Sequence, residues 1–518
     1  MTQIQNISQG GNNHKLRQSG VSLPVFSLPS NYGIGNIGEA ARRFIDFLSD
    51  SGFTYWSILP LGPTSIGDSP FSSFSSKALN HYFIDLDDLV EKGLLKKKDL
   101  ANIDWGDNPR QIDYLKIYEN RIKVLKVAFK RFKKGQGDYQ RGYTSFIRKK
   151  AFSDYACYMV IKEKNQDKPW NEFKEPFNIF STSSFRQVKR NYRKEIEFYE
   201  WTQFIFLKQW EQLKDYAKQK NIKIIGSMPM HVSYDSVDVY KHHYDFLLNK
   251  KNDLDQVAGY PPDVFYEKGQ CWGTPLYDFD YLKKTEYKFF KDRLNFCYDL
   301  YDIVVLDHFR GYLENYKTPK GSKDGLIGEW EKTAGIEVPD KFISDKSRVI
   351  AENVDFSTDE LKSVLKALSI RDMRVVEFGF PRERGNFNQP INYDYSCISY
   401  TTTHDCKPLM AYLSEMEEDQ KKLAVEQINI CCDHFGVERV DGKDNKKIVD
   451  ALLELNLASL SSIAIQSMPD LLYQGNEGRI NTPSSVGTNW RYRVTEEDLS
   501  PLNAKRLREL NRHYGRCD

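Results

Sequence analysis

Cysteine is sparse in this chain. The eight residues among 518 (Cys157, Cys271, Cys297, Cys397, Cys406, Cys431, Cys432 and Cys517) include no CxxC and no Cys/His ligand spacing. That argues against a structural zinc site and leaves free thiols, as a reducing cytoplasm keeps them. Neither sign of charge dominates. Lys+Arg of 74 against Asp+Glu of 72 leaves a formal net charge of +2, so no global field recruits nucleic acid or an anionic membrane, and a neutral substrate suits the balance. The basic clusters at 123–134 and 186–193 alternate with aromatic and apolar residues, as solvated helix faces do. No apolar stretch reaches membrane-spanning length, and residues 1–18 are polar and amide-rich without an apolar core, so neither anchoring nor export is expected. Internal repeats, low-complexity tracts and an Asp-rich calcium loop are also missing, and neither metal nor cofactor is expected.

What is present is a series of short aliphatic runs. At 518 residues the chain exceeds what one compact core usually serves, but an α/β barrel with long insertions reaches this length as a single unit, as do two or three domains. Residues 21–26, a helix at 37–49 stopped by Gly52, and 55–60 make a βαβ unit. Further strands are expected at 222–226, 303–306, 348–351, 374–378, 398–403 and 462–467, which completes eight. The fold class is therefore α/β, a (β/α)8 TIM barrel with large, mainly helical insertions. Residues 87–217 read as an inserted helical subdomain, with long helices at 114–134 and 201–217, between the barrel parts 1–86 and 218–518. Ser357-Thr358-Asp359-Glu360 forms a capping box that starts a helix. The Pro/Gly-rich stretch 259–275 is expected to be an irregular, functional loop.

Three of the runs end in a carboxylate. Ile303-Val304-Val305-Leu306 meets Asp307-His308, residues 348–351 meet Glu352, and 398–403 meet His404-Asp405. Strand C-termini form the active-site face of a (β/α)8 barrel. Acids are common at ordinary strand ends because turns favour them, but three together, two beside a His, go beyond that. Glycoside chemistry needs one carboxylate as nucleophile and a second carboxyl as proton donor. Most of the 31 Tyr, 31 Phe and 8 Trp must be core packing. The expected sugar platforms are Trp272, Phe71 and Tyr32. Of the nine histidines, His308 and His404 stand beside the chemistry.

The sequence resembles the amylomaltases, or 4-α-glucanotransferases, of glycoside hydrolase family 77. The likeness runs over nearly the whole chain. It is carried by Leu28-Pro29-Ser30-Asn31-Tyr32-Gly33-Ile34-Gly35, Leu59-Pro60-Leu61-Gly62-Pro63-Thr64, the run from Gly67 to Ser75, Gly259-Tyr260-Pro261-Pro262-Asp263, the run from Gly269 to Tyr277, Asp307-His308-Phe309-Arg310-Gly311 and Gly487-Thr488-Asn489-Trp490-Arg491. The resemblance implies transfer of an α-1,4-glucan segment to the 4-hydroxyl of another glucan with retention, between maltooligosaccharides and starch- or glycogen-type chains. It casts Asp307 as nucleophile, Glu352 as general acid and base, and Asp405 as the residue gripping sugar hydroxyls. His308, His404, Ser69, Phe71, Tyr32, Asp263, Trp272 and Asn489 would contact the glucan, with 259–275 covering the cleft.

Several positions depart from the family pattern. Val305 stands where the family has Arg, and Ser227 where it has Asp; Cys406-Lys407 replaces Asn-Asp after the third acid, Asn353 replaces Asp, and Phe71 replaces Tyr. In related enzymes the missing Arg and Asp lie close together. Their joint loss is coherent, because removing only the cation leaves a buried carboxylate unpaired at about 3–5 kcal/mol. Three readings stay open: a transferase with an altered site, a glucan-binding protein with weakened catalysis, and a glucan hydrolase.

Overall fold

The computed structural model describes residues 17–65, 67–263, 267–353, 359–383 and 385–518. Eight parallel strands close into a barrel: β1 (Gln18–Ser22), β2 (Tyr55–Ser57), β3 (Lys223–Met228), β4 (Ile303–Leu306), β5 (Val349–Ala351), β6 (Arg371–Val375), β7 (Cys397–Tyr400) and β8 (Ile463–Ser467). Each strand pairs with its chain neighbours, and β8 returns to β1 with Gln18 opposite Ile463. Side chains alternate between two cores. Tyr55, Ile225, Ile303, Val305, Ile350, Met373, Val375, Ile398, Tyr400, Ile463 and Ile465 fill the barrel interior. Their neighbours Trp56, Ile224, Val304 and Val349 face the surrounding helices. Burial on both faces is why these runs read as continuous apolar segments.

Two strand expectations shift. The first strand is Gln18–Ser22, not 21–26: Pro24 has no N–H for a ladder and a 3-10 turn takes Val25–Ser27. The sixth is Arg371–Val375, not 374–378, because the chain turns into the 3-10 segment Glu377–Gly379. Its outward face carries Asp372 and Arg374, paired to each other, which hides it from a search for aliphatic runs. Arg348 precedes β5 instead of joining it, and its guanidinium holds the carbonyls of Tyr298, Tyr301 and Asp302.

Between β2 and β3 the regular secondary structure of the described residues is mainly helical. The long segments are Tyr114–Phe132, Ser153–Lys164, Thr182–Asn191 and Arg193–Gln219. The last of these reaches the barrel wall, where the Trp210 indole donates to the Leu300 carbonyl at 3.1 Å. Helix Asp359–Leu368 buries Leu361, Val364, Leu365 and Leu368 as expected from its spacing, while the Ser357 and Thr358 of its capping box lie outside the described residues.

One layer was not expected. A four-stranded antiparallel sheet, in the order Gln270–Cys271, Gln256–Tyr260, Glu314–Pro319, Glu329–Lys332, stands beside the barrel. The stretch 259–275, read as irregular, therefore contains paired strand, and residues 264–266 within it lie outside the described residues. Its prolines and glycines masked the pairing, and the polar runs of the outer two strands resemble loops.

Candidate active site

The geometry starts with the turn after β4. His308 has a left-handed backbone, φ 48°, unusual for a residue with a side chain and common where a site demands it. That turn aims its N–H at Glu352, whose Oε2 accepts at 2.8 Å, while the Phe309 N–H donates to the Glu352 carbonyl at 3.0 Å. Glu352 is placed by extension of the β4–β5 ladder, its own N–H donating to the Leu306 carbonyl at 3.0 Å. Asp307 and Glu352 are both half-buried, and their carboxyls share a hydrogen bond. Desolvation first, then the neighbouring Glu352 charge and hydrogen bond, then Asp405, hold the Asp307 carboxyl well above the usual carboxylate range.

Asp405 reaches the rim differently. The loop after β7 is pinned by the buried Asp470, which accepts from the Thr401 and Thr402 hydroxyls at 2.7 Å each and from the Leu409 N–H at 2.8 Å. Asp405 then projects with a 42% exposed side chain, 3.4 Å from the His404 imidazole. The Asn481 amide donates to it at 2.5 Å. Beneath it, the Cys406 thiol contacts Thr403 at 3.2 Å and hydrogen-bonds Glu377, whose carboxyl burial pushes up to about 7.

The expected binding residues divide into two groups. Trp272 meets His308 edge-on at 4.8 Å between ring centroids, which brings the side sheet onto the loop that carries Asp307. Phe71 stacks on His404 at 4.6 Å and 14°, and the Ser69 hydroxyl accepts the Phe71 N–H at 3.2 Å, so Ser69 shapes the turn that presents that ring. Asp263 is half-buried next to residues outside the described set. Tyr32 is occupied elsewhere, its hydroxyl donating to Asp87 and its ring against Trp105 at 5.9 Å. The Asn489 carboxamide is engaged by its own loop, accepting from the Thr482 N–H at 2.9 Å and donating to the Ser485 carbonyl at 2.9 Å.

His308 and His404 are not the only histidines at the chemistry. His231 lies 5.6 Å from Trp272 and 6.2 Å from His308. Burial depresses both His231 and His308, to about 4 and about 3, so each is neutral near pH 7. Nothing in the sequence marked His231 or Asn481, the latter 76 positions from Asp405. The two departures from the family pattern face each other, since Ser227 on β3 is the register partner of Val305 on β4.

A closed parallel barrel with a hydrogen-bonded acid pair at adjoining strand ends, and a third acid on the same rim, defines a barrel enzyme of the glycosidase type. A family model described as 4-alpha-glucanotransferase matches residues 23–499. The 4-alpha-glucanotransferase of Clostridium butyricum is 36% identical over 503 residues, covering 96% of this chain and 100% of the relative. The chloroplastic/amyloplastic 4-alpha-glucanotransferase of Solanum tuberosum is 30% identical over 513 residues, covering 96% of this chain and 86% of the relative. An amylomaltase from Streptococcus agalactiae, solved in complex with acarbose, matches with a TM-score of 0.89 at 32% identity, over 97% of this chain and 100% of that one. The chain belongs to the 4-alpha-glucanotransferase family, glycoside hydrolase family 77.

Proposed function

We propose that this chain moves α-1,4-glucan segments between maltodextrins by a retaining double displacement. The observation that carries this reading is the Asp307–Glu352 pair, two acids in contact where neighbouring strands end. With a glucan between them, Glu352 gives its proton to the glycosidic oxygen while the Asp307 carboxylate attacks C1, and the first product leaves with a new 4-hydroxyl. The 4-hydroxyl of a second glucan then returns its proton to Glu352 and attacks C1, which frees Asp307. Asp405 would hold sugar hydroxyls as the ring flattens, with Asn481 and His404 both at its Oδ1. Neutral His308 and His231 would supply hydrogen bonds without adding charge.

Transfer requires that water stay out while the glycosyl-enzyme waits. Trp272 would cover that step; its edge-on contact with His308 supports this reading. The helical insertion, proposed as a subdomain at 87–217, would buttress the other wall. Its Tyr114 hydroxyl donates to the Trp490 carbonyl at 2.8 Å, and the Ile112 N–H to the Arg491 carbonyl at 2.8 Å.

A second reading, a glucan binder with weakened catalysis, is favoured by Val305, which leaves apolar surface where the family has a cation. Incubation with maltotriose separates the readings. Disproportionation gives glucose and longer maltodextrins at a constant number of reducing ends. No redistribution with retained maltodextrin binding makes the protein a binder, and rising reducing ends make it a hydrolase.

A further inference from the structure

The side sheet has an anchor that the transfer chemistry above does not use. Its outer strand, Glu329–Lys332, pairs only with Glu314–Pro319 among the described residues. Trp330 on that strand nevertheless reaches back to the nucleophile loop: the Arg310 guanidinium carbon lies 3.7 Å from the centre of the indole. Arg310 is fixed in place by Glu314, which accepts from its Nε at 2.8 Å and lies 2.7 Å from its Nη2. A planar cation held in this way presents one face to the ring, the arrangement in which cation–π attraction is strongest. The Trp330 ring also meets Tyr316 at 5.4 Å and Tyr260 at 6.0 Å. Tyr260 in turn lies 5.9 Å from His308 and ends the strand that pairs with the Trp272 segment. The loop joining the outer strands closes tightly on this base, for a Cβ on Gly325 would meet the Tyr260 carbonyl oxygen at 2.0 Å.

We infer that Trp330 is a positioning residue which, through Arg310 and Tyr260, holds the side sheet and its Trp272 down on His308 and thereby sets the ratio of glucan transfer to hydrolysis. This rests on the transferase reading above. Without the indole, the sheet loses its outer attachment to the loop that carries Asp307, and the pairing of the Trp272 segment with Ala258 opens more often. Water then competes with the acceptor hydroxyl for the glycosyl-enzyme.

The test compares Trp330→Leu and Trp330→Phe with the parent chain, at the end of a short hairpin where neither change empties the barrel core. Two quantities are measured: the ratio of new reducing ends to transfer products from maltotriose, and hydrogen exchange of the Ala258 and Trp272 amides by mass spectrometry. Trp330→Leu raises the hydrolysis ratio roughly tenfold, the scale of one lost stacking contact, and speeds exchange of both amides. Trp330→Phe, which keeps a ring face for Arg310, restores most of both. If either quantity stays at the parent value in Trp330→Leu, the inference is overturned. A parent chain that redistributes no maltotriose defeats the transferase reading instead, and the exchange measurement still decides whether Trp330 holds the sheet.

Discussion

The acids of the rim stand in two contrasting settings. Asp307 and Glu352 leave adjacent strands, touch each other and are half-buried, and the surroundings raise the Asp307 carboxyl. Asp405 stands on a longer loop, more exposed, with Asn481 and His404 at its oxygen. The same residue type thus serves two purposes. Contact and desolvation set the first pair for the proposed bond making and breaking, whereas the third acid, held through one oxygen by Asn481 and His404, is the one proposed to receive sugar hydroxyls.

Breaking the buried pair has the largest expected effect. Asp307→Asn keeps the shape but removes the nucleophile, and turnover of maltotriose falls by roughly 10⁴-fold or more with the fold intact by circular dichroism. Glu352→Gln loses the proposed proton donor and is slowed by roughly 10²–10⁴-fold on maltotriose, yet on an α-maltosyl fluoride, whose leaving group needs little protonation, it recovers the rate of the first fluoride release. Recovery of Asp307→Asn in place of Glu352→Gln by the fluoride would mean that the two roles are exchanged.

The apolar floor under the pair gives the next effect. Val305 is 6% exposed within the barrel interior. Val305→Arg alone buries an unpaired cation and destabilises the fold by about 3–5 kcal/mol. Ser227 is its register partner, so Ser227→Asp supplies the missing carboxylate and the double variant regains stability and turnover. Thermal melting and turnover across the double-mutant cycle check this, and purely additive effects would show that the two positions do not communicate.

The burial of Asp307 also predicts a pH signature. Its folded-state value is raised, so the native protein keeps a proton that the unfolded chain releases above roughly pH 4. Its contribution to stability is therefore full below that pH and is lost as pH rises towards the folded-state value. Asp307→Asn removes the loss, so its Tm gain over the parent grows as pH rises from 4 to 7. A gain that is flat with pH contradicts the raised value. On the open side of the rim the effect is smallest: Asn481→Ala gives up one hydrogen bond to Asp405, about 1–1.5 kcal/mol, and slows turnover roughly tenfold without changing the melting temperature by more than a few degrees.

This contrast also explains what was legible in the sequence. β4 and its acid could be read directly, because Ile303 to Leu306 are buried on both faces and the polarity changes abruptly at Asp307. Glu352 followed from the same rule. β6 was misplaced because its outward Asp372 and Arg374 neutralise each other instead of facing an apolar helix. The side sheet was missed because its central pairing, such as Val257 with Thr318, joins segments far apart in the chain, which no local periodicity encodes. Asn481 and His231 belong to that same class: each acquires its place from a contact distant in sequence.

The most direct test of the account is to trap the covalent state. Glu352→Gln is mixed with an α-maltosyl fluoride, quenched in acid, digested and read by mass spectrometry. The account predicts a maltosyl adduct on the peptide containing Asp307 that persists with a maltodextrin acceptor, whose 4-hydroxyl finds no base, and is discharged by azide, a nucleophile with no proton to remove. An adduct on another carboxylate, or fluoride release with no adduct at any time, would contradict it.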